Sequence, residues 1–107
     1  MPTINLAASG TVYDLYDELV SQHSYRAGKS CAELTLQADG ANGASVVAVG
    51  SGQFGAAVSA TNRDLDLAGG EAKTWRSGGG GDSVNLAGRK LVPAANNLKV
   101  NVDIVHY

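Results

Sequence analysis

Side chains that commonly carry out chemistry are few in this sequence and lie far apart. His23 and His106 are its only histidines, and neither has further ligands at a spacing typical of a zinc site. Cys31, the only cysteine, falls on a predicted strand rather than at a helix N-terminus, so we expect a small buried or half-buried residue and not an activated thiolate. The G-x-S-x-G nucleophile motif is missing. We therefore expect no catalytic residue, no metal site and no cofactor, and predict that the protein is not an enzyme.

A glycine run at residues 78–81 is the most loop-like segment of the chain. A phosphate-binding P-loop continues with Lys and Ser or Thr after its last glycine, whereas Asp82 follows here and would repel phosphate. Asp64, Asp66 and Asp82 could supply oxygen ligands to calcium, although their spacing does not require it. We interpret the run as a loop tip, with contacts to a partner as the alternative.

Four hydrophobic, aromatic or basic residues are the candidates for an interface. Trp75 lies beside Arg76 on a predicted strand, and both residue types are enriched where proteins meet, although a glycan-binding face would use the same residues. Ile4 and Leu6 precede a break at Gly10. We predict that residues 1–10 form an extended N-terminal arm whose Ile4 and Leu6 reach a neighbouring subunit.

The charge balance and the short apolar stretches exclude several classes of partner. Eight basic and ten acidic residues give a net charge of −2, and no basic run extends beyond Arg89 and Lys90, so no nucleic-acid partner is expected. Apolar stretches are far shorter than a membrane span, and residues 1–3 do not begin a signal peptide. We predict no membrane association and assembly in the cytoplasm.

The hydrophobic pattern has one helical segment followed by many strands. Residues 12–20 place apolar side chains on one helix face, with Thr11 as the predicted N-cap. From residue 30 the period becomes two, and the turn at residues 39–43 predicts a hairpin between strands near 32–37 and 45–49. Further strands are predicted at 54–59, 64–67, 72–76, 84–92 and 98–107. Their number and spacing favour an all-β antiparallel sandwich, jelly-roll-like, as a single domain over residues 11–107.

Several segments, taken in order, resemble small structural proteins of tailed-bacteriophage virions. These segments are residues 12–16 (VYDLY), 30–39 (SCAELTLQAD), 58–62 (VSATN), 67–71 (LAGGE) and 94–102 (AANNLKVNV). The resemblance covers most of the chain, from residue 11 to residue 107. It implies a mainly β virion component, such as a head decoration or cement protein, and it carries over no catalytic residue.

Two functions from different classes follow. The first is a decoration protein that binds the major capsid protein between subunits of the head, as a homo-oligomer, a trimer or a dimer. The second is a receptor- or glycan-binding β-sandwich on a phage tail or spike, in which Trp75 and nearby loops contact sugar.

Overall fold

The fold is mostly β, with antiparallel sheets and a single α-helix in the part of the chain that is described. A computed structural model describes residues 2–51, 63–77 and 84–106. The strands are β1 (Thr3–Leu6), β2 (Tyr13–Asp14), β3 (Ser30–Cys31), β4 (Glu33–Ala38), β5 (Val47–Gly50), β6 (Leu65–Leu67), β7 (Ala72–Arg76), β8 (Val84–Asn85), β9 (Lys90–Pro93) and β10 (Leu98–Val105). Helix α1 spans Leu15–His23. The strand predicted at 54–59 and the glycine run at 78–81 lie outside the described residues.

The first sheet has the strand order β1-β10-β4-β7. In β4 and β10, alternate residues are buried, as the period of two in the sequence predicts. The register places Val102 opposite Leu36 and Val100 opposite Ala38, so these side chains share the buried face. The opposite face carries polar side chains, among them Thr35 and Asp103.

The second sheet has the order β2-β9-β5-β6, and β3 pairs separately with β8. All four residues of β5 are buried, which is typical of an inner strand covered on both faces. Residues from both large sheets and from α1 join in one hydrophobic cluster. Its larger members are aliphatic, including Leu19, Leu36, Val49 and Leu91, and no buried residue of the described chain is polar or charged.

Helix α1 begins later than the sequence pattern predicts. Asp14, not Thr11, is the N-cap, and its carboxylate accepts hydrogen bonds from the backbone N–H groups of Tyr16 and Asp17. Val12 therefore lies outside the helix and is 46% exposed. In the described chain, no helix is long and apolar enough to cross a bilayer.

The predicted hairpin between β4 and β5 is wrong. Residues Gly40–Asn42 form a 3₁₀ turn that Asp39 caps, and the chain then crosses to the other sheet. The side chain of Asn42 bonds both backbone groups of Lys99, which holds the turn against β10. Gly69 packs so closely on this turn that a Cβ at position 69 would lie 2.7 Å from a backbone nitrogen.

The N-terminal segment is not an extended arm, because Thr3–Leu6 forms β1 of the chain's own first sheet. β1 pairs antiparallel with β10, and the side chains of Ile4 and Leu6 are fully buried. Neither side chain is left exposed for the predicted contact with a neighbouring subunit. Both belong to the chain's own core because they share a face with Val100 and Leu98.

Candidate functional site

A cleft beside β7 brings together the aromatic and basic side chains best suited to binding. Its volume is about 420 Å³, and we refer to it as the Trp75 cleft. The described residues that line it come from the position after β5, from β7, from β8 and from the connection between β8 and β9. They are Ser51, Trp75, Arg76, Val84, Asn85, Ala87, Gly88 and Arg89.

Arg89 stacks on the ring of Trp75 inside this cleft. Its guanidinium carbon lies 4.4 Å from the ring centroid, a cation–π arrangement, and Nε donates to the backbone oxygen of Asn85 at 3.2 Å. Burial lowers the pKa of Arg89, and the carboxylate of Asp64 acts in the opposite direction. An arginine remains charged in a protein. The cleft therefore holds a partly buried positive charge on an aromatic surface.

The predicted pair Trp75 and Arg76 both line the cleft, and their side chains have different environments. Trp75 packs against the hydrophobic cluster, whereas Arg76 extends over the polar face and its Nε donates to Glu33 Oε2 at 3.1 Å. The Arg76 side chain is 73% exposed, so this ion pair contributes little to stability. Arg76 consequently remains accessible to a partner at the rim of the cleft.

The described lining of the cleft combines hydrogen-bond donors with an aromatic ring. Guanidinium, amide and hydroxyl groups supply hydrogen-bond donors, and the Trp75 ring supplies an aromatic face. None of the described lining residues is a carboxylate, a histidine or a cysteine. Such a set of side chains can hold a polar or anionic group.

A second aromatic group lies near Cys31. Tyr25 stacks on His106 and meets Tyr16 edge-on, with ring centroids 6.1 and 6.2 Å apart. Cys31 is fully buried, as predicted, and burial raises the pKa of its thiol. Burial likewise raises the pKa of Tyr25, whose buried hydroxyl has no hydrogen-bond partner among the described residues.

The remaining candidates from the sequence are not gathered into one site. His23 lies at the end of α1 and His106 just after β10, where both are exposed. Asp66 pairs with Arg63 at 2.7 Å, and Asp82 lies outside the described residues. Within the described ranges, no three His, Cys, Asp or Glu residues are close enough to hold a metal ion.

Arg89 lines the candidate site but was not among the site residues predicted from the sequence. The sequence offers only one signal for it, its place in the short basic pair with Lys90. Its position over Trp75 depends on how β7, β8 and β9 come together in space, which no local pattern encodes.

Comparison of the chain with protein-family models, curated proteins and solved structures gives no match.

Proposed function

We propose that this chain is a structural protein of a tailed-bacteriophage virion, a decoration or cement protein that binds the major capsid protein between subunits of the head. The observation that carries the proposal is the Trp75 cleft, where Trp75, Arg76 and Arg89 form a surface typical of protein interfaces. The resemblance of the sequence to small virion proteins supports the same function. A protein of this kind acts by mass action, since each bound copy stabilises the assembled shell.

We also propose how the two large sheets are arranged and where the protein acts. We infer that the two four-stranded sheets pack face to face as a jelly-roll-like β-sandwich, which the single cluster of buried residues from both sheets supports. The protein then acts as a homo-oligomer in the virion after assembly in the host cytoplasm. Its role involves no catalysis, nucleic acid or membrane.

Binding to heads tests the main proposal. Purified particles should contain many copies of the chain on the head, counted by quantitative mass spectrometry and located by electron microscopy. Isolated chain should co-sediment with undecorated heads, and Trp75→Ala and Arg89→Ala should weaken that binding. Val12→Ala is the matched control, because Val12 is exposed outside the cleft and should have no effect. Chain found only in a few copies at the tail, or equal binding by all variants, would contradict the proposal.

A receptor- or glycan-binding protein on a tail or spike is the second candidate. The stacked Trp75 and Arg89 favour it, because sugars bind aromatic faces flanked by hydrogen-bond donors. In this case the isolated chain should bind host polysaccharide with a change in tryptophan fluorescence, and Trp75→Ala should abolish binding. Binding to polysaccharide without binding to heads would favour this candidate over the first.

A further inference from the structure

The two edges of the first sheet differ in whether their backbone groups are already bonded. At the β1 edge, Thr3 and Asn5 direct their backbone groups away from β10. Gln22 of α1 accepts from the N–H of Asn5 at 2.9 Å and donates to its oxygen at 3.0 Å. His23 Nε2 lies 2.7 Å from the oxygen of Thr3. The side chains of α1 thus occupy the positions that another strand would use.

The opposite edge, β7, has no such cover among the described residues. Bonds from Ser77 N to Ala32 O and from Ala38 N to Glu71 O, both 2.9 Å, fix which β7 residues face β4. Lys73 and Trp75 face β4. The backbone groups of Ala72, Thr74 and Arg76 therefore point outward, and no described residue hydrogen-bonds to them.

We propose that β7 pairs antiparallel with β7 of a second copy of this chain, in a twofold dimer centred on Thr74. The inference deepens the homo-oligomer part of the proposed function and commits it to a dimer. Two first sheets then become one continuous sheet, with the blocked β1 edges at its two outer ends.

The number of residues that the two β7 strands can align favours a pairing centred on Thr74. A register centred on Thr74 aligns all five residues of β7, and Ala72, Thr74 and Arg76 then face Arg76, Thr74 and Ala72 of the partner. Each of these pairs exchanges two backbone hydrogen bonds. Registers centred on Lys73 or Trp75 leave part of the strand unpaired, and the former also places two lysine side chains opposite each other.

Side-chain chemistry supports the same register. Lys73 lies opposite the partner's Trp75 on the same side of the sheet, where the alkyl chain of the lysine packs along the indole while the ring face stays stacked on Arg89. On the other face, the hydroxyls of Thr35 and Thr74, 2.8 Å apart, continue across the twofold axis into the partner's Thr74. An edge lysine normally discourages strand pairing, and this register gives it an aromatic partner.

Substitutions at Thr74 test the proposal on the isolated full-length chain. Thr74→Pro removes an outward N–H and leaves the bonds between β7 and β4 intact, which an edge strand tolerates. Sedimentation equilibrium at high micromolar concentration should give twice the mass of one chain for the wild type and the mass of one chain for Thr74→Pro. Circular dichroism establishes that the variant is folded.

Cysteine cross-linking provides a test that does not depend on the proline variant folding. In the proposed register the two Cα atoms at position 74 are about 5.5 Å apart, within reach of a disulfide. At position 72 they are separated by roughly 13 Å, from four residues of strand rise. Thr74→Cys should therefore form a disulfide dimer on mild oxidation, and Ala72→Cys, on the same exposed edge, should not. Wild-type protein, oxidised in the same way, shows whether the buried Cys31 forms a cross-link by itself.

Several results would overturn the inference. The wild type could remain monomeric or form a trimer in sedimentation equilibrium. A folded Thr74→Pro variant could still dimerise, or cysteines at positions 72 and 74 could cross-link equally. Because no capsid is present in either assay, the outcome is separate from that of the proposed function. A monomeric chain that still binds heads would overturn the dimer alone.

Discussion

Asp14 is the residue whose replacement should best test the physical account of this fold. One carboxylate oxygen accepts from the N–H groups of Tyr16 and Asp17 at 3.0 and 3.3 Å, which caps α1. The other accepts from Gly88 N at 2.8 Å and from Lys90 Nζ at 2.9 Å. A single side chain thus joins the start of the helix to the connection between β8 and β9.

The loss of folding stability on replacing Asp14 can be worked out from these contacts. Loss of an N-cap costs about 1 kcal/mol, and loss of a charge-assisted hydrogen bond to a backbone N–H costs about 1.5–3 kcal/mol. The ion pair adds little because the Lys90 side chain is 36% exposed. Asp14→Ala should therefore lower the free energy of unfolding by about 2–4 kcal/mol, or the midpoint temperature by roughly 10–20 °C. Asp14→Asn should cost about half as much, because asparagine still caps a helix.

The effect should depend on pH. Burial raises the pKa of Asp14, but the hydrogen bonds from Lys90, Gly88 and Asp17 outweigh it, so the pKa of this carboxyl lies below its ordinary value of 3.8. A lowered pKa in the folded state stabilises the fold above the unfolded pKa, and this contribution is lost as the pH falls through the folded pKa. The difference between wild type and Asp14→Asn should thus be full at neutral pH and shrink below about pH 3.8.

Urea denaturation followed by circular dichroism at several pH values measures both effects. Asp17→Asn is the control, since Asp17 is exposed in the same helical turn and its loss should cost less than about 0.5 kcal/mol. An Asp14→Ala variant within about 0.5 kcal/mol of the wild type would refute the reasoning, as would a pH-independent difference for Asp14→Asn.

Three further predictions concern single contacts. Gln22→Ala should cost about 1 kcal/mol and expose the edge of β1, so static light scattering should detect faster aggregation; unchanged scattering would contradict the blocking role of this side chain. Gly69→Ala should destabilise by about 1–3 kcal/mol in thermal denaturation because its Cβ would meet backbone, whereas Gly40→Ala, which meets open space, should not. Arg89→Leu should leave the fold intact but alter the fluorescence emission of Trp75, and an unchanged spectrum would argue against the stacked arrangement.

The strands whose two faces differ could be predicted from the sequence. β4 alternates between buried and more exposed residues along its whole length, and β10 does so from Leu98 to Asp103, because one face meets the core and the other meets water. Apolar and polar residue types follow the same alternation in the sequence. β6 and β7 also lie where strands were predicted, at Leu65–Leu67 and Ala72–Arg76. The burial of Cys31 does not follow from this alternation, which places Cys31 on the same face as Glu33; Cys31 belongs to β3, and β4 begins only at Glu33.

Pairing partners could not be predicted, because they depend on the whole chain. The turn at 39–43 contains dipeptides typical of hairpins, but Asn42 bonds Lys99 from a distant strand instead. The helix start was misplaced because the N-cap Asp14 is also held by Gly88 and Lys90, far along the sequence. The candidate site also depends on contacts between distant parts of the chain. Trp75 could be predicted as a site residue from its residue type, whereas the position of Arg89 over Trp75 is known only from the fold.

The position of β10 has a consequence for how the protein is made. β10 follows β1 and β4 at a long distance along the chain, yet it lies between them in the first sheet. Until β10 has been synthesised, β1 has no strand to pair with and β4 lacks one of its two neighbouring strands. The apolar faces of β1 and β4 are then incompletely covered. The first sheet can therefore close only after residues 98–105 have been synthesised, so its folding depends on contacts between strands that lie far apart along the chain.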